Sequence, residues 1–128
     1  MTAKPEKRAR VLIVSLPGMM QNVLKETFLC RSDVEVVGVA GGCLSALGMI
    51  AEAQPDLVVI DSNMPEIETN QLILLLKDKY PPIQSLVVVE TTQQYNKATG
   101  AGADHAIRSY SLPDGFDPVL NSLKTNHE

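Results

Sequence analysis

The sequence predicts an α/β domain with a doubly wound, five-stranded parallel sheet and helices on both faces. Apolar runs of four to seven residues alternate with segments of helical period, and the alternation occurs five times in 128 residues. No linker, repeat or low-complexity tract interrupts it. Right-handed crossovers place each helix against the sheet, so five strand-then-helix units indicate a parallel sheet that is covered on both sides.

Each predicted strand is a short run rich in Val, Ile and Leu. The first, RVLIVS at residues 10–15, is apolar almost throughout, which is typical of a strand buried on both faces. The other predicted strands cover residues 34–40, 57–60, 86–89 and 106–108. In parallel sheets of this kind the functional crevice lies beyond the carboxyl ends of the strands. The residues that follow each strand are therefore the candidates for a functional site.

The predicted helices lie between and after these strands. Apolar residues at helical spacing predict the first three over residues 20–28, 44–53 and 69–80. Pro81 and Pro82 end the third. Residues 91–100 are polar with few apolar anchors, so we expect a short or frayed helix there. The last helix is expected to begin with Asp117 as N-cap and Pro118 at its first helical position.

Composition and charge indicate one acidic globular domain. Lys and Arg number 11 and Asp and Glu 15, and the net charge of −4 argues against nucleic-acid binding by this domain. We expect a flexible basic leader over residues 1–8, a single domain over residues 9–124 and a tail over residues 125–128. No apolar run approaches the roughly 18 residues of a membrane span, so we expect no membrane association.

Cysteine usage and the lack of a clear targeting signal predict a cytoplasmic location. Cys30 and Cys43 are too few for a disulfide framework, and both are expected to be small buried thiols in a reducing compartment. Residues 1–20 are similar to a signal peptide, but Pro17 and Gly18 interrupt the apolar core.

Asp61 is the most distinctive residue at the predicted strand ends. It directly follows the apolar run PDLVVI and precedes SNMP. The other strand ends carry Ser15-Leu16, Ala40-Gly41, Glu90-Thr91 and Ser109-Tyr110. A carboxylate in this place is either a loop or N-cap acceptor or a functional group.

With these residues, the chain resembles the receiver domain of bacterial two-component response regulators. The likeness covers roughly residues 9–124 and depends on RVLIVS, DVEVVGVAGG, ALGMIAEAQPDLVVIDSNMP and GAGADHAIRS, of which the third is the most specific. The resemblance implies a flavodoxin-like (CheY-like) fold in which Asp61 accepts a phosphoryl group from a partner histidine kinase. Any Mg²⁺ would be held by Asp61 and the backbone carbonyl of Asn63.

Several positions depart from the family pattern. The acidic pair that follows the first strand is replaced by Ser15 and Leu16, so Asp61 is left as the only expected carboxylate ligand for Mg²⁺. The lysine at the end of the fifth strand corresponds to Ser109, and the aromatic switch residue corresponds to Ala106.

Two further positions depend on strand register. The family's hydroxyl residue at the end of the fourth strand corresponds to Val89, or to Thr91 after a two-residue shift that keeps the same face. Arg108 is next to the lysine position but points to the other face of a regular strand. The predicted lining of the pocket around Asp61 is therefore Ser15, Leu16, Asn63, Val89, Thr91 and Ser109.

These departures predict an atypical, non-enzymatic receiver. Phosphoryl transfer depends on positioning and on neutralising charge on the transferring oxygens. Loss of one such group slows transfer by about 10²- to 10³-fold. Because the metal ligands, the lysine and the hydroxyl are all lost, we expect ordinary phosphorylation to be negligible. We expect weak or absent Mg²⁺ binding, no other cofactor, and signalling through protein contacts. The expected partners are a histidine kinase, an output domain, or a second copy docked through the fourth helix, fifth strand and fifth helix.

Two alternatives stay open. In the first, a histidine kinase phosphorylates Asp61, and the chain is the N-terminal part of a helix-turn-helix transcription regulator. Glu66, Glu68 and Glu90 would then be the candidates to replace the missing acidic ligands. In the second, a flavodoxin-like domain binds a small molecule in the same crevice, which the loss of the acidic pair makes less negative. The two histidines, His105 and His127, are too isolated to form a metal site.

Overall fold

The predicted architecture is confirmed by a computed structural model, which describes residues 8–126. Five parallel strands form one sheet in the order β2-β1-β3-β4-β5. The strands are β1 (Ala9–Val14), β2 (Val34–Ala40), β3 (Leu57–Asp61), β4 (Gln84–Val89) and β5 (His105–Arg108). The helices are α1 (Met19–Leu29), α2 (Cys43–Ala53), α3 (Glu66–Lys79), α4 (Thr92–Ala101) and α5 (Asp117–Asn126). Among residues 8–126, no helix has the length and apolar character to cross a membrane.

The strands divide their side chains between two cores, one on each face of the sheet. The core beneath α2, α3 and α4 includes Leu12, Val14, Val58, Ile60, Val87 and Val89. The core beneath α1 and α5 includes Val11, Ile13, Val59, Leu86, Val88 and Phe116. Because side chains alternate along a strand, Asp61 shares its phase with Val59 and belongs to the α1 and α5 face.

Helix α4 is short, as expected, with ten residues, but it is capped at both ends and not frayed. The Gln94 N–H donates to the Thr91 hydroxyl at 3.1 Å, and the Gln94 side chain accepts from the Glu90 N–H at 2.7 Å. At the other end, Gly102 adopts a left-handed conformation with φ 104°. Caps at both ends therefore stabilise a helix that has little apolar surface to bury.

The start of α5 also differs from its prediction. Asp117 is the first residue of α5 and has helical angles, φ −57° and ψ −49°, instead of an N-cap conformation. A 3₁₀ turn at Asp114–Phe116 leads directly into the helix, so the backbone is already helical at Asp117. The Asp117 carboxylate instead pairs with Arg31 Nη2 at 2.8 Å. Hydrogen bonds to Asp33, and then to Asp117, raise the pKa of Arg31 despite its partial burial.

Other boundaries and exposures differ in smaller ways. Helix α3 begins at Glu66 rather than at residue 69, and α5 includes residues 125–126 of the predicted tail. The remaining terminal predictions, for residues 1–7, 127 and 128, lie outside the described residues. The prediction of two buried thiols was wrong, because Cys30 is exposed and Cys43 is half-buried. Cys30 follows the last residue of α1, where the helix ends at the surface.

Candidate functional site

Asp61 ends the central strand β3 and lies inside the protein. Strand β3 is flanked by β1 and β4, and Asp61 is paired with Val88 in the register of β4. Only 2% of the residue is exposed. The Ser62 N–H donates to the Val88 carbonyl at 3.0 Å, which holds the start of the following turn against β4. A carboxylate is thus fixed at the middle of the carboxyl edge of the sheet.

Both carboxylate oxygens of Asp61 accept a hydrogen bond. The Ser15 hydroxyl donates to Oδ2 at 3.0 Å, and the Asn63 N–H donates to Oδ1 at 3.0 Å. Ser15 follows β1 directly, so the pairing of β1 with β3 brings its hydroxyl next to Asp61. The Gln21 side-chain amide donates in turn to the Ser15 carbonyl at 2.7 Å. Gln21 was not singled out from the sequence, where its place on α1 carried no distinguishing signal.

The acidic residues near this edge do not form a metal-binding cluster with Asp61. Within residues 8–126, no group of three or more His, Cys, Asp and Glu side chains is placed to hold a metal ion. Glu66 Oε1 lies 3.3 Å from Lys97 Nζ, while Glu68 is half-buried and Glu90 is exposed. The potential ligands around Asp61 are therefore its own carboxylate, the Ser15 hydroxyl and backbone groups.

The other predicted lining residues occupy different places. Leu16, beside Ser15, is 42% exposed. Ser109 begins a 3₁₀ turn after β5 and is not one of the two described hydrogen-bond donors to Asp61. Val89 and Thr91 line a separate cavity of about 370 Å³ between α3 and α4. This α3–α4 cavity is lined, among others, by Ser62, Thr69, Val87, Val89, Thr91 and Lys97.

The alternation of side chains along β4 explains why Val89 lies apart from Asp61. Val88 is paired with Asp61 and packs in the core beneath α1 and α5. Val89 packs in the opposite core, beneath α2, α3 and α4. Thr91 lies beyond the end of β4 as the N-cap of α4, and it also lines the α3–α4 cavity.

Arg108 contacts α4 through a hydrogen bond at the helix start. Its Nη2 donates to Thr92 Oγ1 at 2.6 Å. Ala106, two residues earlier, packs against the core beneath α4, as the alternation of β5 requires. The cation next to the family's lysine position is therefore bound to α4, and no described hydrogen bond joins it to Asp61.

The signal that the sequence interpretation missed in this region is the pattern Thr91-Thr92-Gln93-Gln94. A Thr followed three residues later by Gln is a capping-box signature, and the side chains of Thr91 and Gln94 do accept the hydrogen bonds that begin α4. This capping pattern would have predicted a well-formed helix despite the shortage of apolar anchors.

Comparisons with curated proteins find two kinds of relative, while no protein-family model matches the chain. The uncharacterized transcriptional regulatory protein YhcZ of Bacillus subtilis (strain 168) is 32% identical over 120 residues, which cover 92% of this chain and 54% of YhcZ. The protein-glutamate methylesterase/protein-glutamine glutaminase of Pyrococcus abyssi is 29% identical over 93 residues, which cover 73% of this chain and 25% of that protein. The chain therefore spans about half of the first relative and a quarter of the second.

Solved structures with a similar fold include several receiver domains. The signal receiver domain of the response regulator NarL from Mycobacterium tuberculosis has a TM-score of 0.80 at 20% identity, over 93% of this chain and 98% of that chain. The isolated REC domain of RcsB from Salmonella enterica serovar Typhimurium has a TM-score of 0.77 at 14% identity, over 93% and 90% of the two chains. A LuxR-family response regulator from Staphylococcus aureus has a TM-score of 0.75 at 17% identity, over 90% and 98% of the two chains. These likenesses confirm the flavodoxin-like, CheY-like fold.

Proposed function

We propose that the chain, which has the fold of response-regulator receiver domains, is itself such a domain, and that it signals mainly through protein contacts, with impaired Mg²⁺-dependent phosphorylation of Asp61. The observation that carries the proposal is the hydrogen bond from Ser15 to Asp61. Where the family has an acidic residue, a hydroxyl donates to the acceptor carboxylate at 3.0 Å. We propose no catalytic activity for the domain, and its cytoplasmic location stays a prediction.

The placement of cationic side chains supports slow phosphoryl transfer. Transfer to a carboxylate requires positive charge close to the transferring oxygens. Arg108 is hydrogen-bonded to Thr92, and Lys97 pairs with Glu66 at 3.3 Å. Neither contact directs a cation toward Asp61. A phosphoryl group on Asp61 would therefore depend on backbone N–H groups and the Ser15 hydroxyl for neutralisation.

The residues around Asp61 fit Mg²⁺ poorly. Mg²⁺ prefers near-octahedral oxygen coordination in which carboxylates supply the negative charge. Here one carboxylate would carry that charge alone, and its Oδ2 already accepts a hydrogen bond from Ser15. We therefore expect Mg²⁺ to bind weakly, and the proposed signalling does not require it.

A functional phosphoacceptor is the second candidate. Asp61 is present at the carboxyl end of β3, where the resemblance places the phosphoacceptor of receiver domains. Since YhcZ is a transcriptional regulatory protein and the chain spans 54% of its length, this candidate makes the chain the receiver part of a longer regulator. A histidine kinase and a helix-turn-helix output domain would then be its partners.

We place the proposed partner surface on α4, β5 and α5. Tyr95 on α4 is 39% exposed, and Tyr110, in the 3₁₀ turn after β5, is 80% exposed. The hydrogen bond from Arg108 to Thr92 joins β5 to α4. Tyrosine is enriched at protein interfaces because it combines apolar area with a polar tip. An output domain or a second copy would dock here.

An NMR titration of the isotope-labelled chain separates the two candidates. Mg²⁺ is added to about 20 mM, followed by beryllofluoride, while the amides of Asp61, Asn63 and Ser109 are observed. We expect no saturable shift. A saturable shift centred on Asp61 would instead show that another group replaces the acidic pair, and would establish a working phosphoacceptor site.

A matched pair of variants provides the controls. Leu16→Asp returns one acid to the family's acidic pair at a half-exposed position, and it is expected to produce saturable Mg²⁺ shifts at Asp61. Leu44→Asp introduces the same charge at a position that is 86% exposed on α2, and it is expected to produce none.

A further inference from the structure

The α3–α4 cavity is a second concave site, separate from the phosphoacceptor. Its volume of about 370 Å³ lies within the range of small-molecule pockets. Ser62 lines it, whereas Asp61, the preceding residue, does not. The only buried residue among those of α4 is Ala98, so α4 covers the sheet thinly and leaves space next to α3.

Two buried hydroxyls of cavity-lining residues have no hydrogen-bond partner within residues 8–126. These are Ser62 Oγ and Thr69 Oγ1. Thr69 is 8% exposed, and its backbone N–H is already bonded to the Pro65 carbonyl, so only its side chain is unsatisfied. Buried polar side chains are nearly always hydrogen-bonded, because loss of solvent contact without a partner is unfavourable. Neither oxygen is accessible to solvent, so a polar group seated in the cavity would satisfy both hydroxyls once their side chains rotate toward it.

The remaining lining is apolar, uncharged and polar, or paired in charge; the uncharged polar residues are Asn70, Thr91, Gln93 and Gln94. Met64, Val87, Val89 and Ala98 provide apolar contacts. Glu66 and Lys97 are the only charged residues among those that line the cavity, and they pair with each other at 3.3 Å. The lining therefore carries no net charge, and a charged ligand would gain no unpaired counterion.

We propose that the α3–α4 cavity binds a small uncharged molecule with an apolar body and a hydroxyl, carbonyl or amide group. Its polar group bonds Ser62 and Thr69, and its apolar body packs on Val87 and Val89. A pure hydrocarbon leaves both hydroxyls unsatisfied, and an anion meets Glu66. The ligand joins α3 to α4.

The test uses three probes of matched size on the full isotope-labelled chain. Benzamide carries an uncharged amide on an aromatic ring, benzoate replaces the amide by an anion, and toluene has no polar group. We expect benzamide to give saturable shifts at the backbone amides of Ser62, Thr69 and Ala98, and to bind about fivefold more tightly than either of the others. The proposal is overturned if benzamide causes no saturable shift up to about 20 mM, or if toluene or benzoate binds as tightly.

Variants locate the binding and test the hydroxyls. Thr69→Val keeps the shape of the side chain but removes its hydroxyl, and should weaken benzamide binding about fivefold. Ser62→Ala gives the same test if Thr69→Val does not fold. Ala98→Leu fills the cavity and should abolish binding, while Thr27→Val, on the exposed side of α1, should leave it unchanged. Equal binding by the parent chain and Ala98→Leu would place the probe elsewhere and refute the site.

Discussion

At the scale of single residues, the state of the site depends on how Asp61 is held. Its carboxylate is buried at the end of β3, and a buried charge is tolerated only when its oxygens are hydrogen-bonded. Ser15 and Asn63 supply one donor to each oxygen. These donors bind a carboxylate, but they carry no formal positive charge that would help it to accept a phosphoryl group.

Substitution of Asp61 tests whether its hydrogen bonds or its charge matter for stability. In Asp61→Asn, Oδ1 still accepts from the Asn63 N–H and the new amide donates to the Ser15 oxygen, so we expect a change below about 1 kcal/mol. Asp61→Ala removes both acceptors and should lower the free energy of unfolding by about 1–3 kcal/mol. Urea unfolding measures both variants. A loss above about 2 kcal/mol in Asp61→Asn would show that the charge itself supports the network.

At the scale of elements, the sequence predicted the strands and helices whose formation depends on the spacing of apolar residues. The strands were predictable because parallel strands buried on both faces are continuous apolar runs, as the fully buried β3 shows. Helix α4 was not predicted well, because its stability comes from the caps at Thr91 and Gly102 and only slightly from apolar burial. An apolar pattern does not report hydrogen bonds at helix ends.

The C-terminal cap of α4 leads to a prediction with an internal control. Gly102 has φ 104°, and a Cβ there would lie 2.8 Å from Lys77 Cε. We expect Gly102→Ala to lower the free energy of unfolding by about 1–2 kcal/mol. Gly100, inside α4, has no atom within 4 Å of the corresponding Cβ position, so Gly100→Ala should raise it by up to about 1 kcal/mol. Chemical denaturation of the two variants is the measurement, and equal effects would contradict the assigned cap.

His105, on the edge strand β5, makes the free energy of unfolding depend on pH. Burial lowers the pKa of His105 below 6.5, although Asp104 opposes the shift, and its Nε2 lies 2.6 Å from Gln84 Oε1. As the pH falls below about 6.5, His105 therefore takes up a proton in the unfolded chain before it does so in the folded chain. The free energy of unfolding decreases over this range, until the pH lies below the pKa of His105 in the folded chain. His105→Gln should lose less stability than the parent chain between about pH 7.5 and about pH 5.5. Identical pH dependence in urea unfolding would exclude this contribution.

At the scale of the whole molecule, the predictions for the site depended on register and on helix spacing. Ser15, Asp61 and Asn63 were predicted correctly as neighbours at one edge, because a parallel sheet aligns its strand ends. Val89 lies on the other face of β4 and Thr91 at the start of α4, and counting along one sequence did not distinguish these places from the surroundings of Asp61. The α3–α4 cavity depends on the distance between two helices, and no local pattern encodes that distance.

The surface formed by α4, β5 and α5 provides the last prediction, which concerns association between whole domains. If a second copy docks there, Tyr110 is the most accessible large hydrophobic side chain among the described residues of this surface, at 80% exposure. We expect Tyr110→Ser to weaken self-association about tenfold, since an interface tyrosine commonly contributes more than about 1.4 kcal/mol. Leu74→Ser is the matched control, because Leu74 is 59% exposed on α3, outside this surface. Sedimentation velocity over a concentration series measures the effect. A parent chain that stays monomeric, or an equal loss in Leu74→Ser, would refute docking of a second copy on this surface and leave an output domain as its partner.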